Sequence, residues 1–334
     1  MSQPPRVWVL ADERPGNANQ ALGVAEALGW PFEVRELRFG RLARLPNLIL
    51  GHSLAGLTEN SRAGLAPPWP DVVIAAGRRS APVARWLKER HPQAFLVQLM
   101  WPGSAKGFDL IAVPEHDRAR AAPNLIRTLG APHRITAARL AEAGAAFAPL
   151  HADLPRPWIA CLIGGSSRHG GFAPDDAARL AHDAIALAEA RGGSLLVLTS
   201  RRTGAAREQE VADGLAGSPH VLHRWSRSGD NPYLGVLGSA DAILVTADSA
   251  SMCTEACASG RPVLLWRAGM RVPGKLERLH RRLEEDGHLQ PIGAPWPGRM
   301  PPALRPAETV ARAIRERLGT ATAPGRVACT APGN

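Results

Sequence analysis

Two loops rich in glycine and hydroxyl groups, each leaving a short apolar run, are the residues best suited to chemistry in this 334-residue chain. The first reads Leu162-Ile163-Gly164-Gly165-Ser166-Ser167-Arg168-His169. Paired glycines let the backbone approach an anion closely, and Ser166, Ser167 and the neighbouring amides can donate to phosphate oxygens. Arg168 and His169 extend the loop and could neutralise a diphosphate or give it a proton. The spacing is neither a P-loop nor the dinucleotide GxGxxG, and a plain tight turn is the competing reading. The second loop is Thr246-Ala247-Asp248-Ser249-Ala250-Ser251, between an apolar run at 242–245 and a helix expected to start at Met252 and end at 258. Hydroxyls, amides and a helix N-terminus converge there, as a phosphate site requires. Glu255, one turn into that helix, either caps it or faces a ligand.

Further candidates lie on loops of the same kind. Thr199-Ser200-Arg201-Arg202 offers hydroxyls and forked guanidinium donors that suit phosphate, although a solvated charge run looks the same. Asn231, before Pro232, reads as a helix cap at the same sheet edge. In the first half, Asp12 and Glu13 precede Asn17, Asn19 and Gln20, and a second polar loop holds Gly77, Arg78 and Arg79. Asp12 or Glu13 could act as a general base on an acceptor hydroxyl; either could equally cap a helix or pair with an Arg. Glu115-His116-Asp117 adds another acid–base cluster, in which His116 is the candidate. No nucleophile elbow and no metal-ligand spacing is found, so neither a metal nor a cofactor is expected.

Alternating strands and helices must position these loops. Apolar runs at 6–11, 71–76, 94–100 and 108–113, each followed by a polar loop, predict a parallel sheet with helices on both faces. The first helix is expected over 21–28 and another over 81–90. The pattern dissolves near 136 into Ala- and Pro-rich sequence and restarts at 158. The chain is therefore expected to be α/β, with two doubly wound, Rossmann-like domains across a cleft: an acceptor-side domain over 1–150 and a second over 151–306. A helix at 307–318 is expected to pack back on the first domain, followed by a flexible tail.

Composition sets limits on partners. The formal charge of +10 favours acidic partners such as phosphorylated small molecules or an anionic membrane surface. Scarce aromatics, dispersed basic residues and the lack of a groove-reading motif argue against nucleic acid. The N-terminal apolar run is too short for a signal peptide and nothing approaches a membrane span. The expected location is cytoplasmic, with peripheral contact at an inner membrane open. Four cysteines without CxxC spacing read as buried free thiols.

Taken together, Gly164-Gly165-Ser166 and the 231–265 stretch resemble the donor half of GT-B glycosyltransferases, nearest in pattern to the lipid-linked N-acetylglucosaminyl transferase of peptidoglycan synthesis. That resemblance implies a GT-B fold, with Gly165 and Ser166 on the diphosphate loop. It places Ser249, Ala250 and Ser251 on the sugar-diphosphate loop and Glu255 on the ribose hydroxyls. Lys275 stands where Gln-rich donor contacts would be expected. Over nearly its full length the chain is similar to the bacterial relatives of the plant mitochondrial-fission (elongated-mitochondria) family. The motifs behind this are Gly16-Asn17-Ala18-Asn19-Gln20, Ala75-Ala76-Gly77-Arg78-Arg79, Val113-Pro114-Glu115-His116-Asp117 and Ile163-Gly164-Gly165-Ser166-Ser167-Arg168-His169. The resemblances imply a metal-independent, inverting glycosyltransferase that uses a nucleotide-sugar as substrate. Its acceptor would be an envelope saccharide or lipid-linked sugar. A UDP-GlcNAc-type 2-epimerase and a non-catalytic GT-B-like adaptor at a membrane are the alternatives.

Overall fold

The computed structural model describes residues 4–165, 175–227, 229, 231–267, 269–296 and 299–319. Its elements run β1 (Val7–Asp12), α1 (Pro15–Leu28), β2 (Phe32–Leu37), α2 (Asn47–Leu50), α3 (Glu59–Ala63), β3 (Val72–Ala76), α4 (Ala81–Arg90), β4 (Phe95–Leu99), β5 (Leu110–Pro114) and β6 (Leu125–Thr128). They continue with α5 (Ala137–Phe147), β7 (Trp158–Leu162), α6 (Asp176–Glu189), β8 (Ser194–Leu198), α7 (Ala205–Gly214), β9 (His220–His223), α8 (Tyr233–Ser239), β10 (Ala242–Thr246), α9 (Ala250–Ala258), β11 (Val263–Trp266), α10 (Gly274–Glu285), β12 (Gln290–Pro291) and α11 (Pro306–Leu318). Two compact units result, one formed by residues 4–134 with 305–319 and the other by the described residues of 135–304.

The first unit carries a parallel sheet in the order β2-β1-β3-β4-β5-β6. Its inner strands β3 and β5 are buried along their whole length, as their unbroken apolar runs require. Alternate residues divide two cores. Val7 and Val9 face α1 and α11, whereas Trp8 and Leu10 face the side covered by α4. The C-terminal helix is fastened to α1 by Arg315, whose Nη2 donates to the carbonyls of Ala27 at 2.6 Å and Leu28 at 3.0 Å. Those carbonyls end α1 and have no partner inside it, so a guanidinium there satisfies them and complements the helix dipole.

The second unit carries the order β12-β11-β10-β7-β8-β9, again all parallel. The chain leaves β7 for β8 and β9 on one side and then crosses to β10 on the other. The carboxyl ends of β7 and β10 therefore flank the topological switch point, where α/β sheets hold ligands.

Three sequence-based boundaries move. The division between units falls at 134/135 and not at 150, because α5 packs on α8 of the second unit. This contact is close enough to need glycine on both helices. A Cβ on Gly238 would lie 2.1 Å from the Leu140 carbonyl oxygen, and one on Gly144 would lie 2.8 Å from the Gly238 carbonyl carbon. Gly238→Ala is expected to cost about 2–3 kcal/mol by forcing the helices apart, read as a lower unfolding midpoint in urea. Next, α1 starts at Pro15 and not at 21. Pro15 occupies the first helical turn, and the Asn17 and Ala18 amides bond the Arg14 carbonyl, so Asn17, Asn19 and Gln20 are helical and not in a loop. Last, α9 starts at Ala250, two residues ahead of Met252. The Ser249 hydroxyl accepts from the Met252 amide at 3.4 Å and caps it.

Candidate functional site

At the switch point of the second unit the two loops are tied together by one carboxylate. Asp248 accepts from the Gly165 amide at 2.9 Å, the Thr246 hydroxyl at 2.6 Å and Arg202 Nη2 at 2.7 Å. The Thr246 hydroxyl also accepts from the Gly164 amide at 2.9 Å. From the other side, the Ser200 hydroxyl donates to the Gly164 carbonyl at 3.0 Å and the Thr203 hydroxyl donates to it as well. Glycine is needed here for approach: a Cβ on Gly164 would sit 2.1 Å from either Asp248 carboxylate oxygen, and one on Gly165 would sit 2.0 Å from the Arg202 carbonyl oxygen. The hydroxyls of Thr246 and Ser200 and the carboxylate of Asp248 are thus engaged in building the loop from inside.

A cavity of about 630 Å³ opens beside this knot within the second unit, a volume within the range of small-ligand sites. Leu162, Leu198, Leu222 and Met252 give it an apolar floor, while His223, Arg224, Trp225 and Arg227 bring polar and aromatic groups from β9 and the segment after it. Glu255 and Tyr233 also line it, and the Tyr233 hydroxyl donates to Glu255 Oε2 at 2.7 Å. Burial pushes the Glu255 carboxyl above its ordinary range, with the Tyr233 hydrogen bond pulling the other way. The Tyr233 phenol is itself raised, first by burial and then by the nearby Glu255 charge. His223 is held below its ordinary range by burial and by His151, 6.0 Å away ring to ring. Its buried Nε2 has no hydrogen-bond partner among the described residues. A neutral imidazole, a carboxylate with its second oxygen available and two arginines can hold a flat heterocycle, a pair of hydroxyls and an anion together.

Of the residues singled out from sequence, Thr199, Ser200, Asn231, Met252 and Glu255 line this cavity; Gly164, Gly165, Arg201, Thr246, Asp248, Ser249, Ala250 and Ser251 do not. Ser166, Ser167, Arg168 and His169 lie outside the described residues. Thr199 is engaged within the protein: its hydroxyl donates to Glu208 at 2.7 Å and accepts from the Trp225 amide at 2.8 Å. Burial alone would raise Glu208, but hydrogen bonds from Ser226 and Thr199 outweigh it and hold this carboxyl below its ordinary range. Asn231 accepts from the Tyr233 amide at 3.1 Å, but the N-cap position of α8 is Pro232, so Asn231 stands one residue ahead of the cap expected of it. In the Arg201-Arg202 pair it is Arg202 that enters the site, while Arg201 is exposed. Sequence reasoning passed over Tyr233, His223 and Arg224 as site residues, and named Arg202 only as part of the loop 199–202. The single tyrosine of the chain, beside Asn231-Pro232, was the available signal.

In the first unit the acid–base candidates are committed elsewhere. Asp12, almost fully buried, accepts from Arg79 Nη2 at 2.5 Å, the Asn17 side-chain amide at 2.8 Å and the Arg14 backbone amide at 3.0 Å. Glu13 accepts from Arg79 Nη1 at 2.7 Å. Asp12 and Glu13 therefore take the ion-pair role and not that of a free base, because one planar guanidinium spans both carboxylates. The Gly77 carbonyl accepts from Ser80 Oγ and from Gln98 Nε2, each at 3.0 Å. Arg78 turns away to bond the Ala43 and Leu45 carbonyls at 2.7 and 2.6 Å. Asn19 is exposed and Gln20 half-buried on α1. His116 is buried in the turn after β5.

Among the described residues no group of three His, Cys, Asp or Glu is arranged to hold a metal ion, and no helix is long and apolar enough to cross a membrane. Cys161, Cys253 and Cys257 are free and buried, and burial pushes the Cys161 thiol up to about 12.

Comparison with known proteins fits this architecture. The UDP-GlcNAc 2-epimerase of Methanocaldococcus jannaschii matches with a TM-score of 0.56 at 13% identity, covering 93% of this chain and 99% of that one. A glycosyltransferase of Rickettsia africae matches with a TM-score of 0.51 at 10% identity, covering 95% of this chain and 89% of that one. The fold is GT-B, shared by glycosyltransferases and UDP-GlcNAc 2-epimerases. In sequence, the mitochondrial fission protein ELM1 of Arabidopsis thaliana is 28% identical over 298 residues, covering 80% of this chain and 69% of its own length. The family model described as Mitochondrial fission ELM1 matches residues 15–318, and the chain belongs to that family.

Proposed function

We propose that the cavity of the second unit binds a nucleoside-diphosphate sugar and that the chain uses it in glycosyl transfer to a saccharide or lipid-linked acceptor. The observation that carries this reading is Glu255, held by Tyr233 in the lining of an apolar-floored cavity beside the switch point. One carboxylate oxygen is taken by the phenol, and the other would accept hydrogen bonds from the vicinal hydroxyls of a ribose. Leu162, Leu222 and the neutral His223 would receive the base. Arg224 and Arg227 would offset charge growing on the departing diphosphate, the largest electrostatic demand of such a transfer. The α9 N-terminus, with Ser249 as its cap, lies at the same sheet edge and adds positive potential. No residue is assigned as base, since Asp12 and Glu13 both pair with Arg79.

The test uses the whole chain with UDP-GlcNAc and UDP as probes. Each is expected to raise the thermal unfolding midpoint, because a ligand that binds only the folded state stabilises it by mass action. A flat response to a panel of nucleotide-sugars would sink the reading. Incubation with UDP-GlcNAc in heavy water, followed by proton NMR, then separates the two reactions. Deuterium entering C2 without any acceptor present identifies a 2-epimerase and rejects transfer.

A further inference from the structure

The exposed apolar side chains of this protein are not scattered. Of the large hydrophobic residues on the surface of the described chain, four fall within eight positions of the first unit: Leu42 at 52% exposure, Leu45 at 36%, Leu48 at 95% and Ile49 at 66%. Leu42 sits on the short turn at Arg41–Arg44, Leu45 directly after it, and Leu48 and Ile49 on α2, all between β2 and β3. Single exposed leucines need no explanation, whereas a contiguous group does.

Two further observations say what covers this group. The first is charge. Residues 38–58 contain Arg38, Arg41 and Arg44 and not one Asp or Glu. All three arginines are exposed. Arg41 and Arg44 make no ion pair among the described residues, and Arg38 reaches Glu36 only at 3.9 Å with both side chains in water, a pair of negligible strength. The second is rigidity. Arg78 donates to the Leu45 carbonyl at 2.6 Å and the Ala43 carbonyl at 2.7 Å, while Asn47 donates to the Arg78 carbonyl at 2.9 Å and the Pro102 carbonyl at 3.1 Å. The segment is thus braced from the carboxyl edge of its own sheet, with Leu48 and Ile49 pushed outward. Braced apolar tips flanked in sequence by exposed arginines match a boundary between anionic headgroups and acyl chains: the aliphatic groups enter, and the guanidinium groups stay at the phosphate level. A protein groove would ask for the same apolar residues but gives no reason for an exposed, wholly positive flank in which Arg41 and Arg44 make no ion pair among the described residues.

We propose that the segment Arg38–Leu50 is a membrane-docking surface whose partner is a bilayer containing anionic phospholipid. The inference does not depend on the nucleotide-sugar reading, which concerns the other unit.

The experiment is co-sedimentation of the full chain with vesicles of phosphatidylcholine and with vesicles of phosphatidylcholine doped with phosphatidylglycerol. The chain is expected to pellet with the doped vesicles and not with the neutral ones, and to be released as salt is raised. Leu48→Asp with Ile49→Asp should weaken vesicle binding at least about tenfold. Exposure of both side chains makes the exchange harmless to folding, which an unchanged unfolding midpoint checks. Arg41→Glu with Arg44→Glu should weaken it similarly, while the same charge change at the exposed Arg281 and Arg312 should not. Equal loss from the Arg281/Arg312 pair would assign the effect to net charge and overturn the proposal. So would a chain that stays in solution with doped vesicles, even if a protein were found on this face, and so would undiminished pelleting of the Leu48/Ile49 variant.

Discussion

Asp248→Ala is expected to lower the unfolding free energy of the second unit by about 3 kcal/mol and to loosen the glycine loop that it holds. Three donors converge on this carboxylate: the Gly165 amide, the Thr246 hydroxyl and the Arg202 guanidinium. The carboxylate is 4% exposed and Arg202 30% exposed, so alanine leaves a buried amide and a half-buried cation without their acceptor. Hydrogen bonds to a charged group are worth about 1.5–3 kcal/mol each, but the partly solvated arginine recovers some of its loss from water. Asp248→Asn keeps the shape and one acceptor oxygen, and should cost about half as much. Gly164→Ala attacks the same knot from the other side, since its Cβ would meet the carboxylate oxygens at 2.1 Å. Urea unfolding checks all three variants: the midpoint should fall with the slope unchanged. If the alanine variant lost less than about 1 kcal/mol, Asp248 would not be the joint between β7 and β10.

The elements of both sheets were legible because most of their strands are buried on two faces. Val72–Ala76, Ser194–Leu198 and Ala242–Thr246 are unbroken apolar or small-residue runs, and nothing but a covered parallel strand suits them. Where a strand lies at the sheet edge that signal fades. Leu125–Thr128 is half-exposed and includes Arg127, and it went unread as a strand. The helix starts were misplaced for a local reason. Pro15-Gly16-Asn17-Ala18-Asn19-Gln20 and Ser249-Ala250-Ser251 look like loop sequence, yet Pro at the first turn and Ser as a cap open helices rather than postpone them.

The site was less legible than the fold, because its partners meet from distant parts of the chain. Nothing in Asp12-Glu13 announces that Arg79, 66 and 67 positions away, will bridge both carboxylates. Arg201 and Arg202 are indistinguishable in sequence; the turn between β8 and α7 points one inward and the other to water. The β9 side of the cavity, with His223, Arg224 and Trp225, lies on and just after a half-buried edge strand and carries no motif. Glu255 stood out in its helix from the sequence, and the structure adds the phenol of Tyr233 against its carboxylate.

That pair carries the second large effect expected. If Glu255 accepts two ribose hydroxyls, Glu255→Ala removes charge-assisted hydrogen bonds and should weaken nucleotide binding about 100-fold, the equivalent of about 3 kcal/mol. The thermal shift given by UDP would then vanish at concentrations that saturate the parent chain. Binding should also respond to pH in a definite sense. Burial raises the Glu255 carboxyl above its ordinary range, so the folded protein holds this proton more tightly than the unfolded chain does. The resulting stability is full below the ordinary glutamate range and is lost as pH rises through the raised value. Nucleotide affinity runs the opposite way, because the ionised carboxylate is the better acceptor: it should strengthen as pH rises through that same value. Tyr233→Phe separates a positioning role from simple packing. The ring remains while the donor that favours the carboxylate is lost, which moves the Glu255 midpoint further up. The affinity-versus-pH curve of the phenylalanine variant should therefore be displaced to higher pH and rejoin the parent curve at its alkaline end. A loss of affinity equal at every pH would mean that Tyr233 merely packs, and that Glu255 is ordered by something other than its phenol.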